Sequence, residues 1–428
     1  MRILLSLALL AGALLATAQP FLPGAEQAGP IAIVGATAHI GDGTAVEDAV
    51  VAFANGKITY AGPRSGAPSL AGTTQIDGTG KDVYPGFIAM DTRLGLVEID
   101  AVRATDDIRE VGYFNPNARA VIAFNTDSEI LPTVRNIGVL IAQVSPDGNG
   151  LAGQSSAVAM DGWNWEDAAV GMDEGMHLHW PSAYYQSGWW AAPGGIKKND
   201  DYAEDVRKLE TYFSEAAGYA ETEGATDNPR FRALAPVFAG ERTLYIHATY
   251  AREIEDAIRF TEAYGVKPIL VDARDAWMVK ELIAAKGLSV VCGPVHALPE
   301  RSDDLVSQPF ETPAQLQAAG IPIAFSLSGA WEQRRVPHHA GHAVGFGLPY
   351  EEAVRALTLT PATMMGIADR VGSLVPGKAA TLFLSDGDAL DMRTNRVEHA
   401  YIDGREVDLR SRQSELAAKY REKYRRGE

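Results

Sequence analysis

The sequence has little cysteine: one residue in 428, Cys292, within LSVVCGPVHALP. No intrachain disulfide can form, so the fold must hold by packing alone, even in an oxidising compartment. Apolar neighbours make Cys292 an expected buried strand residue and not a reactive thiol. Positive charge is also scarce. The formal net charge is −17, and no clustered Lys and Arg are available to neutralise a phosphate backbone, which excludes nucleic acid as a partner. The one basic run, KYREKYRRGE at Lys419–Glu428, reads as a solvated helix end. There is no glycine-rich dinucleotide loop and no Walker loop. The stretch GQSSA at Gly153–Ala157 lacks the second glycine of a nucleophile elbow, which excludes a serine hydrolase of that type.

What is present begins with a leader pattern. Arg2 supplies a positive start, Ile3 to Leu15 an apolar stretch, and Ala16-Thr17-Ala18 a small-residue cleavage site. The expectation is a periplasmic or secreted protein cut near Ala18, with an uncleaved N-terminal anchor as the alternative. No later segment approaches about 18 consecutive uncharged apolar residues, so the mature chain is expected to be soluble. A composition of 46% hydrophobic and 22% charged residues is that of a globular chain with a sizeable core.

Two β-rich ends flank a different middle. Residues 30–84 carry β-branched runs punctuated by turns, with Asn55-Gly56 as a hairpin signal. Residues 366–410 repeat the style, and 411–428 form a helical tail. Between them, over about 85–365, apolar strands alternate with amphipathic helices: TLYIHA then EIEDAIRFTEAYG, KPILVDA then AWMVKELIAAKG. That alternation predicts βα units on a parallel sheet, and the length suits an eight-stranded barrel. An open doubly wound sheet is the alternative.

One segment breaks the alternation. Gly162–Gly195 holds five of the seven tryptophans. It reads as an irregular insertion, either a lid whose Trp163 and Trp165 contact substrate or a flap packed onto the barrel by its rings. Within it, His177 and His179 form a His-x-His that reads as loop and as structural. His338 and His342 in VPHHAGH have i, i+4 spacing, a metal-pair geometry without the glutamate of a zincin. They and His296, which follows a strand, are candidate substrate contacts. His39 and His399 fall in the β-rich ends and read as surface.

The stretches PGFIAMDTRLGL (Pro85–Leu96), YIHA (Tyr245–Ala248), GPVHALPERSDD (Gly293–Asp304) and ALTLTPATMMGIADRVGSLVPGKAATLFLSDGD (Ala356–Asp388), with the closing YIDGREV, resemble the amidohydrolase superfamily, and its secreted imidazolonepropionase-like members most. The resemblance covers nearly the whole mature chain. It implies a TIM (β/α)8 barrel plus a small β-sandwich built from both chain ends. It also implies hydrolysis of carbon–nitrogen or related bonds by water activated on one or two divalent metals such as zinc.

Carried over by position, most of the family's ligand set is replaced. The His-x-His after the first strand falls on Asp91 and Arg93, and the acidic residue before it on Ala89. The strand-5 histidine is kept as His247, the strand-6 histidine falls on Asp272, and the strand-8 aspartate falls near Ser328. No lysine lies between Arg135 and Lys197 to serve as a strand-4 bridge. Asp91, His247 and Asp272 could form a zinc trio on paper. Arg93 opposes it, because a guanidinium stays protonated and repels a cation. Arg93 paired with Asp91 and Asp272 would instead supply the metal's charge. Two readings therefore stand: an exported hydrolase with a rebuilt site, and a non-catalytic homologue that binds a small molecule or peptide, or supports an active paralogue, as homodimer or heteromer.

Overall fold

The computed structural model describes residues 22–426 apart from 190, 223–225, 300 and 302. The leader expected at 1–18 lies outside them. Among the described residues, no helix is long and apolar enough to cross a membrane.

The N-terminal part contributes strands β1 (Ile31–His39), β2 (Ala45–Ala54), β3 (Lys57–Pro63), β4 (Thr74–Asp77) and β5 (Asp82–Pro85). The middle contributes β6 (Phe87–Thr92), β7 (Val139–Val144), β8 (Gly150–Ala159), β9 (Ala169–His179), a hairpin β10 (Tyr184–Trp189) and β11 (Ala192–Lys198), then β12 (Thr243–His247), β13 (Ile269–Val271), β14 (Ser289–Cys292) and β15 (Ile323–Phe325). The C-terminal part adds β16 (Leu382–Ser385), β17 (Val397–Ile402) and β18 (Arg405–Glu406).

Strands β6, β7, β8, β9, β12, β13, β14 and β15 form one eight-stranded sheet in that order. A parallel bridge between Met90 and Ser326 joins its two edges, so the sheet is a nearly closed barrel. It departs from a regular (β/α)8 barrel in one strand. β8 runs antiparallel to both neighbours, while the other seven strands are parallel. The cause is in the connection. Only Ser145–Asn149 separates β7 from β8, and a link of that length can return a strand only antiparallel, since a parallel crossover needs about a dozen residues.

The reversal also corrects the reading of Gly162–Gly195 as an irregular insertion. Its first half, after the short helix Trp165–Ala168, is barrel strand β9, and its second half is the β10–β11 hairpin. His177 and His179 are therefore strand residues. The register between β8 and β9 shifts between the Ser155–Gly175 and Ala157–Gly171 pairs, around Asp173, whose φ is +48°. This bulge re-aims the residues that follow it. Arg119 clamps it with two contacts of 2.8 and 2.9 Å to the Asp173 carboxylate.

The two chain ends share a second eight-stranded sheet. β16 pairs with β5, and the order runs β18-β17-β16-β5-β1-β2-β3, with β4 on β1. Ile33, Val51, Phe53, Leu382 and Leu384 fill its core. The strand pairing thus joins both chain ends in one mixed sheet. His39, read from the sequence as surface, is buried at 6% exposure. It stacks on Tyr84 with ring centroids 4.3 Å apart and bonds Glu351 of the helix Tyr350–Ala356 at 2.8 Å.

The barrel meets this sheet through Gly138, whose φ is +94°. A Cβ there would lie 2.5 Å from the Phe383 ring. Gly138→Ala is expected to destabilise the chain by about 1–3 kcal/mol from overpacking alone, with the positive φ adding to it. A thermal unfolding scan within 1 °C of wild type would refute this.

Candidate active site at the barrel mouth

β8 starts at the mouth formed by the C-terminal ends of the parallel strands and finishes at the opposite end. Asp91, Arg93, His179, His247, Asp272 and Ser328 line one cavity of about 760 Å³ at the strand-end mouth. Such barrels place their chemistry at this end. Three of these residues, Asp91, Asp272 and Ser328, have φ of +48°, +55° and +58°. Left-handed backbone costs a non-glycine residue roughly 1–2 kcal/mol. Its recurrence at three strand ends around one cavity is the kind of strain found at functional sites.

Asp91 is the hub, with 1% exposure. Its Oδ1 accepts from Arg93 Nη1 at 3.0 Å and from Ser145 Oγ at 2.7 Å. Its backbone N–H donates to Gln143 Oε1 at 3.1 Å. Arg93 Nη1 also reaches the Ser145 carbonyl at 3.1 Å, and Nη2 lies 3.7 Å from Asp147. Arg93 therefore pairs with Asp91 and Asp147, whereas Asp272 lies 3.4 Å from Arg274. Burial pushes the Asp91 carboxyl up, but Arg93 first, then His247, His177 and the Ser145 hydroxyl, override it and hold it well below the usual carboxylate range.

His177 is the residue the sequence reading did not place here. It is fully buried, 3.0 Å from His247 (Nδ1 to Nε2) and 3.9 Å from Asp91 Oδ1. It stacks on Tyr245 at 4.9 Å, and its Nε2 has no hydrogen-bond partner. Burial lowers the His177 pKa to about 3 and holds His247 well below the ordinary imidazole value. Both are neutral imidazoles at physiological pH. Beneath them Glu174, turned inward after the bulge, accepts from Gln143 Nε2 at 2.8 Å and Ser155 Oγ at 2.7 Å. Desolvation raises its carboxyl to about 7 against those bonds.

The other sequence candidates lie elsewhere. Trp163 and Trp165 sit between the end of β8 and the start of β9, at the opposite end of the barrel, because β8 is reversed. Trp163 is 65% exposed, and Trp165 packs on the main core. Neither reaches the cavity. His296 packs on His339 and near Phe310, and His338 lines a separate cavity of about 360 Å³ with Tyr350 and Asp388. Neither histidine lines the mouth cavity.

Asp91, His177 and His247 offer three donor atoms within 4.8 Å of one another. By count and by neutral imidazoles this is a zinc-type set. A fixed positive charge lies beside it. A permanently protonated guanidinium already shares Asp91 Oδ1 with a hydroxyl, and the two imidazole nitrogens face each other across one proton. An ion held by this set would share Asp91 with the Arg93 guanidinium.

Fold and strand-end cavity together define a nearly closed eight-stranded α/β barrel with a polar site at its mouth. The Amidohydro_3 model of the amidohydrolase family matches residues 318–408. A segment of 48 residues is 48% identical to 5-methylthioadenosine/S-adenosylhomocysteine deaminase of Symbiobacterium thermophilum, spanning 11% of this chain and 11% of that relative. An amidohydrolase from Thermotoga maritima shares the fold at a TM-score of 0.75 and 24% identity, over 89% of this chain and 100% of that one. The fold is also that of an A. niger ochratoxinase, at 0.53 and 16%, over 89% and 96%.

Proposed function

We propose that the barrel mouth is a small-ligand site in which Arg93 takes the place of the family's metal charge. The superfamily and the deaminase-named relative suggest a hydrolase as the ancestral activity. The observation that carries the proposal is the Arg93–Asp91 pair, buried on both sides at the strand end where the family's first two ligands would stand. It leaves no centre to polarise water. The ligand carries an amine or guanidinium. Asp91, Asp100, Asp147, Asp205, Glu253, Asp272 and Glu332 line the cavity with Arg93, and they still outnumber the cations when Arg109, Lys208, Arg274 and Arg335, which pair with Asp147, Asp205, Asp272 and Glu332, are counted. A concave site with an excess of one sign concentrates ligands of the other. The leader at Arg2–Ala18 supports a place outside the cytoplasm.

One observation favours a second reading, a hydrolase with a single rebuilt metal: the convergence of Asp91, His177 and His247. Metal content separates the two. Tag-free protein is incubated with zinc or manganese, desalted and measured by inductively coupled plasma mass spectrometry, beside an Asp91→Asn, His247→Ala double variant. The proposal expects the same content in both. An ion held by wild type and lost in the double variant would establish the metal reading.

A further inference from the structure

The histidines excluded from the mouth form a cluster of their own. His296, in the loop after β14, and His342, in the helix Val336–Val344, are both exposed. His296 Nε2 and His342 Nδ1 are in direct contact, with the two rings nearly perpendicular at 83°. The cluster is built from beneath by a third histidine. His339 is 2% exposed, and its Nδ1 accepts the backbone N–H of Val295 at 3.0 Å and of His296 at 3.4 Å. That fixes its proton on Nε2 and fixes the backbone that carries His296. The His296 ring packs on His339 with centroids 4.0 Å apart. Phe310 stands 5.4 Å from His342 and stacks on Phe346 at 5.0 Å, closing the other side.

From this geometry we infer that His296 and His342 form a two-imidazole site for a late first-row divalent cation, with copper(II) bound most tightly and water completing the coordination. Two neutral ring nitrogens aimed at one point are borderline ligands suited to copper, nickel and zinc, and affinity at such sites rises towards copper. The present contact needs one proton between the two nitrogens. The cation replaces it, and the ring that carried that proton holds it on its other nitrogen, so two neutral imidazoles bind the ion with no net proton release. His339 is a positioning residue, since its lone pair is spent on the backbone. Arg335 is the nearby cation that works against the site, and it lies 3.9 Å from Glu332. The inference is independent of the barrel-mouth reading, because His296, His339 and His342 do not line that cavity.

The test is a titration of the full, tag-free chain with copper(II) chloride, followed by calorimetry and electron paramagnetic resonance. The expected result is one ion per chain with nitrogen hyperfine structure from imidazole. His296→Ala and His342→Ala should each weaken that ion at least tenfold without moving the thermal midpoint, and His399→Ala, at a surface site elsewhere, should leave it unchanged. His342→Gln repeats the test with a polar residue should the alanine variant fold poorly. Equal copper affinity in wild type and the His342 variants, or no copper bound by wild type, would overturn the inference.

Discussion

Arg93→Met should lower the unfolding free energy by about 3–5 kcal/mol at pH 7.5, because it leaves Asp91 as an uncompensated buried charge. Asp91 and Arg93 have side-chain exposures of 2% and 9%. With the guanidinium gone, the carboxylate keeps the Ser145 hydroxyl and neutral imidazoles, none of which supplies a full positive charge. Asp91→Asn in the same chain should return most of the loss, since an amide does not need a counter-ion there. The sign with pH follows from the depressed Asp91 carboxyl of the native protein. Removing Arg93 raises that group, so the penalty is largest where the carboxylate must stay ionised and shrinks as the pH falls and it protonates. Urea denaturation of wild type, the two single variants and the double variant at pH 7.5 and 5 gives the coupling directly. A loss under 1 kcal/mol for Arg93→Met, or a double variant no better than the single, would show that the pair does not hold the site together. It would also remove the ground for reading Arg93 as a substitute for the metal.

The mouth was legible in the sequence where the chemistry sits at strand ends in chain order. Asp91, Arg93, His247, Asp272 and Ser328 follow short apolar strands, and the structure brings all five to one cavity. His177 was not legible. Its strand, AVGMDEGMHLH, carries two glycines and a bulge at Asp173, which breaks the alternation of period two that marks a half-buried strand. One glycine has a packing reason: a Cβ at Gly175 would lie 2.5 Å from the Tyr245 ring. Nearby tryptophans then made the segment look like a flap. The reversal of β8 was written in the short Ser145–Asn149 link, and missing it sent Trp163 and Trp165 to the wrong end of the barrel. Gln143 and Ser145 carry no motif, because their roles arise only when β7 is laid beside β6. The histidines of VPHHAGH did have the spacing of a pair, but the ring that meets His342 comes from the β14 loop. Spacing along one helix could not name that partner.

His39→Gln should be least stable relative to wild type at pH 6 and should match it by about pH 9.5. His39 bonds Glu351 at 2.8 Å and has Asp82 at 3.5 Å, so it joins β1, β5 and the helix Tyr350–Ala356. Burial alone would lower its pKa. The bonds to Asp82 and Glu351 outweigh that and raise it to about 9. A histidine with a folded-state value above its unfolded one holds its proton more tightly when folded. Its contribution is therefore complete below the unfolded value, near 6.5, and is lost as the pH rises through 9. Each pH unit inside that window is worth about 1.4 kcal/mol, giving on the order of 3 kcal/mol in all. The glutamine keeps a polar group near Glu351 and cannot titrate, so the difference between the two unfolding curves isolates the imidazolium. Urea midpoints taken every half unit from pH 5.5 to 9.5 give that difference. Parallel curves across the range would mean that His39 carries no proton in the native state, and that the end sheet is held to the barrel helix by the Tyr84–Tyr350 hydroxyl contact of 2.9 Å instead.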